Sequence, residues 1–158
     1  MKYTIKELPT FSVIGLEQTL TEKKSQNLER CLSFWPYFNQ QLKRNRLGQK
    51  GIWTKYAFMT RREGQFYYFC GIPQPETVPV NFLSKEIPTC TYLVVEHQGA
   101  MKHIYATYET LYRELIPKLG LSLEQVDFLH FEKYDEKFQW NQKNSVIEIW
   151  VPDRKSTR

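Results

Sequence analysis

The residue whose chemistry stands out is Glu148, in the segment Ser145-Val146-Ile147-Glu148-Ile149-Trp150-Val151-Pro152. Strand alternation puts Ile147, Ile149 and Val151 on one face and Glu148 with Trp150 on the other. A carboxylate flanked by isoleucines and beside an indole is an odd choice for a central strand. If it is buried, it needs a partner or its pKa rises. A bound organic cation is one such partner, and aromatic faces add cation–π attraction of roughly 0.5–2 kcal/mol per good contact. The competing reading is an exposed Glu on a solvated sheet face, and the residues alone leave the two even.

Other chemical signatures are absent. There is no GxGxxG and no GxxxxGK followed by Ser or Thr, so neither glycine-rich phosphate cradle is present. HExxH and GxSxG are missing too. His97 and His103 are scattered, while His130 and Glu132 share one strand face at i, i+2. That spacing suits two metal ligands, but a solvated strand face is the favoured reading. Cys31, Cys70 and Cys90 form no CxxC pair and read as reduced, buried small hydrophobes. No catalytic set, metal or cofactor is expected. Lys43, Arg44, Arg46, Lys50, Lys55, Arg61 and Arg62 concentrate in the first half. A solvated helix end and hairpin is favoured over a nucleic-acid surface, because no RNP-like motif or helix-turn-helix pattern accompanies them.

Composition sets the frame for these residues. The chain has 158 residues, 41% hydrophobic and 25% charged, which suits one folded domain. Its 22 basic and 17 acidic side chains leave a net charge of +5, a mild excess that permits an acidic partner without demanding one. Aromatic residues reach 15%, and an excess rich in Tyr and Trp suits a ligand-lined surface as well as a core. The opening MKYTIKELPT lacks an apolar leader core, and no apolar run approaches the ~20 residues of a membrane helix. A cytoplasmic protein without membrane partners is expected.

The elements that must position Glu148 follow from periodicity. Residues 3–8 and 11–18 read as extended, broken at Pro9, and Gly15 marks a bulge or a close backbone approach. Leu28, Cys31, Leu32, Trp35, Phe38 and Leu42 recur at helical spacing between Ser25 and Arg44, with a kink or two short pieces expected at Pro36. Residues 45–51 form a basic connection. Strands follow at 53–60 and 65–72, joined by a Gly-containing hairpin loop at 61–64. Four prolines between Pro73 and Pro88 read as a linker with little regular structure. The second half gives a strand at 90–97, a helix from Lys102 to about Lys118 ended by Pro117 and Gly120, and strands at 126–134 and 145–151. Residues 135–144 connect the last two strands.

Each half thus reads strand, helix, strand, strand, a repeat of pattern without obvious residue identity. The expected fold is α+β: one domain over 1–158, with internal halves of about 1–75 and 88–152. The duplicated β-α-β-β modules are related by a pseudo-two-fold axis, their antiparallel sheets form a cleft, and the helices lie outside. Parity places Tyr56 and Phe58 opposite Trp53, Ala57 and Met59, sets Phe66 and Tyr68 against Tyr67 and Phe69, and puts Tyr92 with Val94. One face packs on the helices, and the other is expected to line the cleft.

Several segments then resemble the GyrI-like effector-binding family. They are Leu8-Pro9 ahead of Val13-Ile14-Gly15, the helix with Trp35 and Phe38, the stretch from Tyr105 to Tyr112, Leu115-Ile116-Pro117, Phe131-Glu132-Lys133-Tyr134-Asp135, and the closing run from Ile147 to Pro152. The ordered set spans nearly the whole chain. The resemblance implies a domain that senses lipophilic, often cationic compounds, as in activators of the AraC and MerR classes and in integron-cassette effector-binding proteins. It implies Glu148 as the acidic residue that meets the ligand, with Trp35, Tyr56, Phe58, Tyr68, Tyr92, Tyr112 and Trp150 as aromatic wall. No DNA-binding segment of the activators is recognised here, so direct nucleic-acid binding is not expected.

Three readings follow. The favoured one is a stand-alone pocket for an amphipathic or cationic small molecule, serving transcription regulation or sequestration, with a protein partner as its output. The second is a GyrI-like hydrolase of reactive compounds, with Glu148 and a Tyr as acid and base. The third is a gyrase-inhibitor-like interaction module, which a filled core between the halves would favour.

Overall fold

Alternating apolar residues build eight strands among the described residues: β1 (Tyr3–Leu8), β2 (Phe11–Thr19), β3 (Lys55–Arg62), β4 (Gln65–Pro73), β5 (Leu83–Ile87), β6 (Cys90–Gln98), β7 (Phe128–Tyr134) and β8 (Val146–Asp153). The structure, a computed structural model, describes residues 1–47, 54–121, 128–139 and 142–153. Trp53, Lys50 with the rest of the 48–51 connection, Val126 and the middle of the 135–144 connection lie outside the described residues.

All eight strands form one antiparallel sheet in the order β1-β6-β8-β7-β3-β4-β2-β5. Exchanging each strand of one half for its counterpart in the other (β1 with β5, β2 with β6, β3 with β7, β4 with β8) reproduces this order read backwards. The duplication is therefore real. Its pseudo-two-fold axis passes between β3 and β7, and each half lends its first strand to the edge of the other half's sheet. The axis is also marked by identity: Pro9-Thr10 and Pro88-Thr89 form equivalent turns, and the two threonines exchange backbone-to-hydroxyl bonds of 3.0 and 3.2 Å.

This connectivity forces the sheet to curl. β1 and β2 stand six strands apart in the order, which in a flat sheet is about 29 Å. Only Pro9 and Thr10 lie between Leu8 and Phe11, and three peptide steps span at most about 11 Å. The ends of the sheet must therefore approach each other. The helix-free face is the inner one, and Val13, Phe58, Ile87, Tyr92, Phe131 and Trp150 pack there as one aromatic-rich cluster. Phe58, Tyr92 and Phe131 have no exposed surface. On this face the curl packs the aromatic rings of both halves against one another, and a hollow of about 440 Å³ remains beside Glu148, Val94 and Lys6. Gly15 contributes by close approach: a Cβ there would sit 1.9 Å from the Cys70 carbonyl oxygen, while the β2–β4 register runs through it without a bulge.

Both helical segments lie on the outer face. α1 (Lys24–Arg44) is one continuous helix through Pro36 rather than two pieces. Phe34, Phe38 and Leu42 are buried with Ile14, Tyr68 and Cys70, so packing of the whole apolar stripe offsets the local proline cost of ~3 kcal/mol. The second helical segment covers 101–119, with a 3₁₀ turn at Met101–His103, an α-helix at Ile104–Thr110, a π-helical stretch at Leu111–Leu115 and a last turn at Ile116–Leu119. Pro117 does not end it. The widened turn immediately before Pro117 absorbs the missing donor and the ring's bulk. Gly120, at φ 64°, supplies the left-handed stop. Leu111, Leu115 and Ile116 pack on Leu93, Ile149 and Val151, the β8 face expected to meet the helices.

The stretch from Pro73 to Pro88 is not structureless, because β5 pairs with β2 within it. Pro79 and Pro88 fall outside the five-residue strand, so neither removes a ladder donor. Its short, mostly polar sequence suits an edge strand and carries little signal.

Candidate functional site

The central strands β3 and β7 run between the two helical segments, and a cavity of about 320 Å³ opens above them. Leu32, Trp35, Pro36 and Asn39 of α1 form one wall, Met101 another, and Phe138 closes a side. Lys55 of β3 and Tyr134 of β7, direct partners in the strand register, complete the lining. Trp35 meets Tyr134 edge-on at 5.1 Å, and Tyr134 meets Phe138 at 5.0 Å.

Behind Tyr134 lies Glu132, 9% exposed. Tyr134 Oη donates to Glu132 Oε1 and Tyr108 Oη donates to Oε2, each at 2.5 Å. No lysine, arginine or histidine nitrogen forms an ion pair with this carboxylate among the described residues. Burial pushes the Glu132 pKa up, and the two tyrosine bonds pull against that rise. The phenols respond in kind: burial and then the Glu132 charge raise Tyr108 and Tyr134 well above the usual range. Burial, with a further push from Glu132, takes the Cys31 thiol up to about 12. A buried carboxylate held by neutral donors, without an ion-pair partner among the described residues, is stabilised by any positive charge brought near it.

His130 is the neighbour of Glu132 on the same face and, like it, is not on a solvated surface. The strand face holding both is covered by the second helical segment, which overturns that reading. His130 Nδ1 lies 2.9 Å from Tyr112 Oη, and its ring packs 4.6 Å from that of Tyr108. Burial lowers its pKa to about 4, so it is neutral near pH 7. His97 anchors the start of the helical segment, with Nδ1 2.6 Å from Thr107 Oγ1 and Nε2 2.9 Å from the Ala100 carbonyl. Among the described residues no group of three His, Cys, Asp or Glu side chains is placed to share a metal.

The residues named from sequence divide between the two faces. Trp35 and Tyr68 are on the outer side, where Trp35 Nε1 donates to Tyr68 Oη at 2.9 Å, and Trp35 lines the cavity. Tyr112 is on the same side but is turned to His130. Tyr56, Phe58, Tyr92 and Trp150 belong to the inner cluster, where Trp150 stacks on Phe131 at 5.5 Å and an interplanar angle of 10°. Glu148 shares that inner face. It accepts from Trp150 Nε1 at 3.1 Å and is ion-paired with Lys137 at 3.5 Å. It edges a separate hollow of about 440 Å³, shared with Lys6, Val94 and Glu96. The structure thus does not bring Glu148 together with Trp35 and Tyr68. Among the basic residues, Arg62 is held by Glu17 at 2.7 and 3.1 Å and lies 4.0 Å over the Tyr67 ring.

Sequence reasoning missed Glu132, Tyr108, Tyr134, Met101 and Phe138 as site residues. The available signal was parity: Glu132 and Tyr134 fall at i, i+2 on one strand, and Tyr108 lies on the apolar stripe of a helix.

Comparison with known proteins adds the following. Residues 4–152 match the family model described as integron-associated effector binding protein. The transcriptional regulator BrlR of Pseudomonas aeruginosa is 26% identical over 156 residues, covering 96% of this chain and 55% of that protein. This chain therefore spans about half the length of that curated relative. SAV2435, solved bound to tetraphenylphosphonium, superposes with a TM-score of 0.77 at 19% identity, covering 98% of this chain and 94% of that one. EcmrR, solved in a complex with DNA, gives a TM-score of 0.71 at 17% identity, covering 96% of this chain and 57% of that one. No helix of the described residues is long and apolar enough to cross a membrane.

Proposed function

Because the chain belongs to the family of integron-associated effector-binding proteins and has the GyrI-like fold, we propose that its outer cavity takes a lipophilic organic cation. Glu132 is the counter-charge in this reading. The observation that carries it is a carboxylate buried behind the cavity's aromatic wall, bonded by two neutral tyrosines and lacking an ion-pair partner among the described residues. Trp35, Tyr134 and Phe138 offer ring faces and edges to a bulky cation. Glu148 is less suited to the role, since Lys137 already meets its charge and it stands on the other face of the sheet.

The bound neighbour supports the ligand class, and the regulator relative supports a signalling output. In this reading, ligand occupancy is passed to a DNA-bound or other protein partner.

The test is a thermal-shift titration with tetraphenylphosphonium and a neutral tetraphenyl isostere, on wild type, Glu132→Gln and Glu148→Gln. A ligand at a hundredfold excess over its Kd stabilises a fold by roughly 2.7 kcal/mol. Stabilisation by the cation alone, lost in Glu132→Gln and kept in Glu148→Gln, is the expected result. Loss in Glu148→Gln instead moves the site to the inner hollow. No stabilisation of any of the proteins overturns the ligand-binding reading.

A further inference from the structure

The α1 wall of the outer cavity is built by Leu32, Trp35, Pro36 and Asn39, which follow one another down a single face of the helix. Pro36 is the unusual member. It stands inside a continuous helix of 21 residues. A proline has no amide hydrogen, so the ladder bond from residue 36 to the carbonyl of residue 32 cannot form. Residue 32 is Leu32, one turn back and on the same cavity wall. The Pro36 ring also crowds that carbonyl and tilts it off the helix axis, on the side that carries the ring. The neighbouring Ser33 hydroxyl donates elsewhere, to the Arg30 carbonyl at 3.1 Å.

Around this carbonyl stand Trp35, Met101, Tyr134 and Phe138. A backbone acceptor released into such a wall gains from a donor that the occupant brings, and a charged donor makes the stronger bond. Trp35, which lies between Leu32 and Pro36 in sequence, meets Tyr134 edge-on at 5.1 Å, and Tyr134 donates to Glu132. The carbonyl on α1 and the carboxylate behind Tyr134 therefore border the cavity from two sides. A quaternary ammonium or a phosphonium satisfies the carboxylate by charge but has no hydrogen to offer the carbonyl. A protonated amine has both. A mid-helix proline is costly to the fold, and this one lies on the face of α1 that an occupant touches, where such a cost accompanies function.

We propose that the Leu32 carbonyl, released by Pro36, is a hydrogen-bond acceptor of the cavity, so that the site selects protonated amines with bulky apolar groups over quaternary cations of the same shape. This rests on the cavity being the cation site proposed above. Glu132 then reads the charge, and the carbonyl reads whether the charged centre carries a hydrogen. Pro36 acts as a specificity-determining residue through the carbonyl it releases.

The experiment compares two matched probes, dimethyl(diphenylpropyl)amine and trimethyl(diphenylpropyl)ammonium, by calorimetric titration at neutral pH, where the alkylamine is protonated. They share the charge and nearly the same shape, and differ in N–H against N–CH₃. The readout is the ratio of their two Kd values, compared between wild type and Pro36→Ala so that the different hydration of the probes cancels. The substitution returns an amide hydrogen to the Leu32 carbonyl. It is expected to raise the thermal midpoint and to shift the ratio about tenfold toward the quaternary probe, the size of one hydrogen bond from a charged donor. In wild type, the carbonyl-carbon resonance of Leu32 is expected to move with the amine and not with the quaternary probe.

An unmoved ratio in Pro36→Ala, with the quaternary probe still bound by wild type and lost in Glu132→Gln, overturns the acceptor and leaves the cation site standing. A Leu32 resonance that answers both probes alike overturns it too, and this readout decides the question if Pro36→Ala does not fold. Failure of wild type to bind either probe overturns the cation site and the acceptor together.

Discussion

Tyr134 and Glu132 stand two residues apart on one face of β7, and the phenol of the first donates to the carboxylate of the second at 2.5 Å. Tyr108 engages the other oxygen from the second helical segment. Two neutral donors satisfy the lone pairs of a buried carboxylate without cancelling its charge. The pair thus links the wall of the cavity to a charge held just behind it.

The first consequence is a pH dependence of cation binding. Burial favours the neutral acid and holds the Glu132 pKa above its ordinary value of 4.5, whereas a bound cation favours the carboxylate. Affinity for tetraphenylphosphonium therefore rises with pH through the titration of Glu132 and levels off above it. The ligand-free fold runs the other way. Its native state holds this proton more tightly than the unfolded chain, so the contribution is fully present below 4.5 and is lost as pH rises through the folded pKa. Calorimetric Kd values across the acid-to-neutral range check this. A flat profile in wild type, or an equal slope in Glu132→Gln, would remove Glu132 from the site.

His130 has the opposite sign. Its folded pKa of about 4 lies below the ordinary 6.5, so the unfolded chain binds more protons in that interval. The stability it contributes is present above 6.5 and is lost as pH falls toward 4, at most about 3 kcal/mol. Urea midpoints in a Glu132→Gln background isolate the effect from the opposing carboxylate. Adding His130→Gln should flatten the fall in midpoint through this window. An undiminished fall would show that other groups cause it.

Gly15→Ala tests the close approach of β2 to β4. The new methyl would stand 1.9 Å from the Cys70 carbonyl oxygen, which belongs to the backbone and cannot rotate away. Strands must part to admit it, and a loss of ~3 kcal/mol or more is expected. Denaturant unfolding measures it, and a change within about 0.5 kcal/mol would mean that the strands part freely at this point.

Strand parity was legible in the residues themselves. Ile147, Ile149 and Val151 do meet the helices, Glu148 and Trp150 do share the other face, and Tyr56 with Phe58 do oppose Ala57 and Met59. The helical stripes of α1 and of 101–119 were equally plain, because both patterns depend only on local spacing. Prolines misled at Pro117 and around β5, and at Pro36 the helix is not split into two pieces; in each case long-range packing or pairing overrode a local rule.

Periodicity determined which side chains lie together on a face, and the excess of Tyr, Phe and Trp determined that aromatic rings would crowd both faces. It could not determine which face would stay open. That was decided by the three peptide steps from Leu8 to Phe11, which must join strands six places apart and so curl the sheet. Curling packs Phe58, Tyr92 and Phe131 against one another inside, so that one hollow lies outside, between the helices, and a second remains on the inner face beside Glu148. The proposed counter-charge is therefore Glu132, buried behind the outer cavity, rather than Glu148 at the inner hollow. Both were visible in the sequence, but burial is a property of what the distant chain lays over a residue, and only the tertiary structure supplies that.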